Sequence, residues 1–313
     1  MISRLSSTIV LLLLTISVFG TQTATAGQIR VLASIKPIQL IAKDMLGDLA
    51  HVDVLLPSGS SPHHYSLKPS SIGQIHDADL FIWGGPGLEL FLTKTVSQLE
   101  RPALALLEDD DDHHPANPET ENVDAAHSDD AGGHEDEHHH DGADPHFWMA
   151  PDRALAAADR IKDRLVVLYP EEAAIYQQAY DDFAARLLRT DQQLQQQLKS
   201  ISAVGFYVFH DAFSSFVEHY QLNQLGYFTV DPGRKPGARR LSEIRKALET
   251  NKAHCVFVEP QFKAPVVDSL IRGLNIRVGR LDPLAVEIEA ARGGYSKYLQ
   301  SLADSFTNCL SEE

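Results

Sequence analysis

Cysteine is scarce: the 313 residues carry two, Cys255 and Cys309. Neither lies near the N-terminal segment, so no lipid anchor on a mature N-terminal cysteine is expected. Long apolar runs are missing too. Beyond the N-terminal segment nothing approaches the roughly 18 uninterrupted apolar residues of a membrane span. HExxH is spelled once, at His134 to His138 inside the acidic run and outside any stretch patterned as a helix, and there is no recognisable nucleophile elbow; these are the local signatures of metalloproteases and of α/β hydrolases. Lys and Arg are absent from residues 108–144, which hold 15 Asp and Glu. The formal net charge of −16 disfavours nucleic acid and anionic membrane surfaces as partners. That one segment explains the excess, since the rest of the chain carries 28 acidic against 27 basic residues. A hydrophobic content of 43% supports a proper core and excludes a disordered chain. The length allows one large or two modest domains.

The N-terminus reads as a secretory signal peptide over residues 1–26. Arg4 supplies the positive charge, Ile9 to Phe19 the apolar stretch, and Ala24-Thr25-Ala26 the small-x-small cleavage site. The apolar stretch is too short to cross a bilayer, so a mature chain is expected to start near Gly27, free in a periplasm. Two cysteines in an exported chain invite one disulfide, closing a 53-residue interval. Two free thiols are the alternative, since pairing geometry is invisible in a sequence.

β-rich runs at 29–35, 51–56 and 79–83 alternate with helical patterns at 37–47 and 69–76, with a further helix expected at 86–99 and a short strand at 103–107. This alternation predicts a parallel sheet covered by helices. Residues 108–144 have Val123 as their only sizeable aliphatic residue. Too little surface is available there to offset chain entropy, so a disordered loop is expected. Pro151 opens a helix to about Leu168. A run from Glu171 to Val204 without Gly or Pro then predicts a long rod over 171–199, with Ile175, Ala179, Phe183, Leu187, Leu194, Leu198 and Ile201 at helical spacing. Strands at 204–209, 225–230, 255–258 and 277–281 follow, with helices at 211–220, 239–251, 262–273 and 296–310. The expected fold is α/β: a lobe over 27–169, an interlobe helix over 170–202, and a second lobe over 203–313. Ligands of such sheets bind at the carboxyl ends of strands, and the cleft between lobes is the natural site.

Three histidines occupy strand-end or loop-to-helix positions: His63 in LPSGSSPHHYSLKPS, His146 in DPHFWMAP and His210 in FYVFHDAF. Imidazole is the commonest metal ligand near neutral pH, and three suit Zn²⁺ with one position left over. Each alone has an ordinary reading, as a turn residue, a stray member of the His-rich run, or a helix cap. Adjacent loop residues point apart, so His64 is expected to face solvent. Tyr65 either lines the site or packs under the loop.

These stretches, with DADLFIWGGPGLE, GYFTVDPGRKPGARRLSEI, VFVEPQF, GRLDPL and the terminal Cys309, resemble the periplasmic zinc-binding proteins of ABC importers, among the cluster A-I solute receptors. The resemblance covers roughly residues 28–311 apart from the acidic run. It implies two four-stranded parallel α/β lobes joined by one rigid helix. It also implies His63, His146 and His210 as ligands of Zn²⁺ for delivery to a membrane permease with its cytoplasmic ATPase, with no reaction catalysed. Some zinc-binding members carry Glu immediately before the first histidine, where this chain has Pro62. The fourth position then falls to water or a carboxylate. Asp282 stands where manganese-binding relatives offer an aspartate, and is expected as fourth ligand or, with more weight, as a partner behind the ligands. Glu259 is expected to orient a ligand or form part of the cleft. Three histidines favour zinc over manganese, which prefers carboxylate oxygen. A manganese or iron receptor of the same architecture, or a secreted hydrolase using a His₃ zinc, are the competing readings. A monomer is expected, with a periplasmic metal chaperone as a further partner. Seven histidines, His113, His114, His127, His134, His138, His139 and His140, fall within the acidic run, where weak, fast-exchanging zinc binding is expected.

Overall fold

A computed structural model describes residues 28–101, 103–107, 144–230, 233, 237–250, 253–261 and 265–311. The segment expected to be a signal peptide lies outside them. So do residues 108–143, with all seven histidines of the acidic run.

The chain builds two four-stranded sheets in which every neighbouring pair is parallel. The first orders β2 (Ala50–Val54), β1 (Ile29–Ala33), β3 (Leu80–Trp83) and β4 (Ala103–Ala105). The second orders β6 (Gln224–Thr229), β5 (Phe206–His210), β7 (Cys255–Val258) and β8 (Arg277–Arg280). The two strand orders are the same, and β3 and β5 are buried along their whole length. Sheets covered on both faces need such continuous apolar strands.

Proline starts three of the first helices: α1 (Lys36–Leu46), α2 (Pro69–Asp77) and α4 (Pro151–Leu168) each carry it in the first two positions. Its missing N–H is no loss there, and its fixed φ suits the first turn. The stretch 86–99 departs from expectation. Only a 3₁₀ turn at Leu90–Leu92 and the short α3 (Thr93–Val96) form. Gly85 takes φ +119°, and the Glu89 carboxylate turns back to accept the Gly84 N–H at 2.6 Å. The chain spends residues 84–89 on a turn, leaving too little for a longer helix.

The rod between the sheets is α5 (Ala173–Leu198), flanked by 3₁₀ turns at Pro170–Glu172 and Lys199–Ile201. Its 26 residues span about 39 Å at 1.5 Å per residue. Tyr176, Phe183, Leu187, Leu194 and Leu198 form its buried stripe. Ile175, expected on that stripe, is 50% exposed. Tyr176 takes its place because the ring is buried while its hydroxyl reaches Glu172 Oε2 at 2.6 Å. The second half continues with α6 (Ser214–His219), α7 (Ala238–Glu249), α8 (Pro265–Ile271) and α9 (Gly294–Leu310).

One apolar core runs through both halves and includes residues of α1, α4, α5 and α9; a satellite core lies in the second half around Phe228, Leu248 and Val256. At the centre sits Asp44 of α1, 1% exposed. Its carboxylate accepts Arg186 Nη2 of α5 at 2.8 Å, and the N–H groups of Gly293 and Tyr295 at 2.8 and 3.1 Å. Gly293, at φ +80°, is in the left-handed region, which glycine enters without the Cβ clash other residues meet. A buried charge is tolerated when it is paired and hydrogen-bonded, as this one is. Cys255 of β7 is bonded to Cys309 of α9, tying that helix to the second sheet.

Candidate metal centre

His63 lies in the loop that follows β2, His146 just before the 3₁₀ turn Phe147–Met149, and His210 at the last residue of β5. His210 closes a strand of the second sheet and His63 lies in the loop that leaves the carboxyl end of a strand of the first, the side of such sheets where ligands bind. His146 and His210 are 4% and 3% exposed, and His63 is half-buried. Their rings stand almost at the corners of an equilateral triangle, with centroids 5.4, 5.6 and 5.1 Å apart. One nitrogen from each falls within 4.8 Å of the others. On a tetrahedral zinc with Zn–N bonds of about 2.0–2.1 Å, two nitrogens would stand about 3.3 Å apart. The remaining gap is within the reach of modest ring rotations.

The surroundings suit a cation. His210 Nε2 is buried with no hydrogen-bond partner, a costly state for a polar atom unless something binds it. Its Nδ1 faces Glu259 Oε1 at 3.3 Å; Glu259 is itself 3% exposed and lines the same cleft. His146 Nδ1–H donates to Asp144 Oδ1 at 2.9 Å. Burial alone would raise the Asp144 carboxyl, but the hydrogen bonds and charge of His146, with the Ser215 hydroxyl, outweigh it and hold the pKa down to about 2. The floor is apolar and locked across the halves. Trp148 Nε1–H donates to the Pro283 carbonyl at 2.8 Å, and the Tyr295 hydroxyl donates to the Trp148 carbonyl at 2.7 Å.

Asp282 does not join the histidines. Its Oδ1 accepts from Gln261 Nε2 at 2.5 Å and from Leu284 N–H at 3.0 Å, and its Oδ2 accepts from Val286 N–H at 2.7 Å. It shapes the turn that carries Pro283 and Leu284 into the cleft wall. His64 is exposed, and Tyr65 packs against Phe91 with ring centroids 5.7 Å apart, away from the triad. Sequence reasoning passed over Trp148, which lines the cleft, and Asp144, which stands behind His146. Asp144 was counted with the acidic run by composition, although its spacing of two residues from His146 in Asp-Pro-His is a local hydrogen-bonding signal.

Two parallel α/β halves that present strand ends to one histidine-lined cleft define a solute-binding receptor. The chain matches the family described as "Zinc-uptake complex component A periplasmic" over residues 31–309, and it belongs to that family. It is 36% identical over 312 residues to "High-affinity zinc uptake system protein ZnuA" of Haemophilus ducreyi, covering 96% of this chain and 98% of that one. Among solved structures, "Crystal structure of ZnuA" superposes with a TM-score of 0.72 at 25% identity, over 90% of this chain and 99% of that one. A ZnuA deletion mutant with zinc bound gives a TM-score of 0.71 at 25% identity, over 91% of this chain and 99% of that one.

Proposed function

We propose that His63, His146 and His210 hold one Zn²⁺ in the cleft and that the protein delivers it to the membrane permease of an ABC importer, with the energy supplied by the permease's cytoplasmic ATPase. The observation that carries this reading is the convergence of three imidazole nitrogens within 4.8 Å from segments far apart in the chain. An all-imidazole set with a remaining position suits zinc. Asp282, held by the Gln261 side chain and by the N–H groups of Leu284 and Val286, leaves the fourth position to water or to another carboxylate. It also speaks against a manganese or iron receptor, which would use carboxylate oxygens. The carrier catalyses no reaction. The absence of a nucleophile elbow weighs against a hydrolase.

The export reading completes the picture: a signal peptide over 1–26, no lipid anchor, a periplasmic monomer with lobes over 27–169 and 203–313, and a helix over 170–202 between them. The acidic, histidine-rich run 108–144 gathers zinc weakly and passes it to the cleft, alone or with a metal chaperone. A chain lacking 108–143 therefore keeps one tight zinc site in calorimetric titration and loses the weak ones. In the full chain His210→Ala lowers zinc affinity by about tenfold or more, equivalent to at least about 1.4 kcal/mol, whereas His64→Ala leaves it unchanged. Equal losses from the two substitutions, or loss of the tight site with the run, would overturn the assignment.

A further inference from the structure

Asp144 stands two residues before His146, with Pro145 between them. Its Oδ1 accepts both the His146 backbone N–H at 3.0 Å and the His146 Nδ1–H at 2.9 Å. Its Oδ2 accepts the Ser215 N–H at 3.2 Å and the Ser215 hydroxyl, which in turn accepts Arg153 Nη1 at 2.9 Å. An ionised carboxylate offers about four acceptor positions, and here four donors fill them. Pro145 fixes the backbone between donor and acceptor, so the pair is held with few alternative conformations.

The two oxygens face different parts of the fold. One holds a cleft histidine from the first half. The other holds the first turn of α6, five residues beyond His210. A closed circuit results: His210, the short turn to Ser215, Asp144, His146, and back to His210 across the cleft, where the rings stand 5.1 Å apart. The separation of two ligands 64 residues apart in sequence is thus set by one carboxylate and a five-residue segment.

We infer that Asp144 is a positioning residue of the metal site. It fixes the tautomer and rotation of His146 so that Nε2 faces the cleft, and braces that ligand against the segment carrying His210. The inference rests on the reading of His146 as a zinc ligand. Carboxylate partners behind a metal-bound imidazole orient the ring and raise its basicity, and their removal typically costs about 10–100-fold in metal affinity.

The test uses the full chain loaded with zinc, with affinity from competition against a chromophoric chelator and histidine tautomers from long-range ¹H–¹⁵N ring correlations. In the unsubstituted protein His146 shows a protonated Nδ1 and a metal-bound Nε2. Asp144→Ala weakens zinc binding by about 10–100-fold and changes the His146 ring pattern, while the His63 and His210 patterns persist. Asp144→Asn, which keeps an acceptor oxygen without the charge, retains the Nδ1–H pattern and loses less affinity. It also decides the matter should the alanine variant fail to fold. Wild-type affinity with an unchanged His146 ring in Asp144→Ala would overturn the inference. So would coordination through Nδ1 in the parent, or equal disturbance of all three rings, the mark of a merely structural role. His146→Ala is the separate control: unchanged zinc affinity there removes the ligand assignment itself, whatever Asp144 does.

Discussion

Burial pushes the Glu89 carboxyl up to about 7 from its ordinary 4.5, even though the Ser34 side chain and the Gly84 N–H pull the other way. The whole carboxyl is buried, so its charged form is the one burial disfavours. Below pH 4.5 the folded and unfolded chains both hold the carboxyl proton. Between 4.5 and about 7 the folded state keeps it while the unfolded state releases it. Stability contributed by Glu89 is therefore complete in acid and is lost as pH rises through 7, by an amount on the order of 3 kcal/mol. Glu89→Gln carries a permanent neutral mimic. The stability difference between parent and variant, from urea denaturation at a series of pH values, should shift against the parent between pH 5 and 7.5; a constant difference would refute the buried-proton account. Single residues also mark the limit of what the sequence discloses. His63, His146 and His210 were legible as a set because a ligand type recurred at strand ends and loop edges. Asp144 was not, because composition assigns it to the acidic run and the Asp-Pro-His spacing alone does not say which oxygen meets the ring. Asp282 was legible only as two alternatives, a fourth ligand or, with more weight, a partner behind the ligands, because a motif does not show the three donors that occupy its oxygens.

Elements were legible where periodicity and punctuation agreed. The eight strands lie within a few residues of the apolar runs that predict them, and proline-led helices begin where proline stands. The stretch 86–99 was not legible, because its helical spacing says nothing about a carboxylate folding back on its own turn. The face of α5 was readable except at its first turn, where an amphipathic tyrosine displaced an aliphatic residue from the core. Close packing between elements is invisible to pattern reading, and β8 supplies a case. A Cβ added at Gly279 would lie 2.5 Å from Phe257 Cε1 and 3.0 Å from Cys309 Sγ. Phe257 cannot easily yield, since it is 1% exposed and its ring packs edge-on against Phe206 and Phe306. Glycine at this position is what lets β8 lie flat beneath the phenylalanine and the disulfide. Gly279→Ala should cost about 1–3 kcal/mol of stability by overpacking, read from denaturant unfolding under oxidising conditions. A change inside about 0.5 kcal/mol, the usual scatter of neutral surface substitutions, would show that the strand edge is looser than its contacts imply.

At the scale of the whole molecule the two halves repeat one strand order, yet they do not behave as two bodies on a flexible tether. The apolar core is continuous across them, and its polar fastenings cross from half to half. Asp44 of α1 is bound by Arg186 of α5 and by the start of α9, Trp148 is bound to the Pro283 carbonyl, and Tyr295 is bound to the Trp148 carbonyl. Opening the cleft by hinge rotation would break several buried hydrogen bonds together, each leaving a group unsatisfied at about 1–3 kcal/mol. A zinc ion held as proposed, by contrast, needs only small movements of three rings whose ligand nitrogens already lie within 4.8 Å of one another. The cheaper path is local: rings and the loop bearing the half-buried His63 adjust while α5 holds the frame. Small-angle scattering of a chain lacking 1–26 and 108–143, with and without zinc, should give superimposable profiles and the same radius of gyration. A resolvable contraction on zinc binding would mean that the crossing hydrogen bonds do open, and that the long helix bends instead of bracing the two sheets.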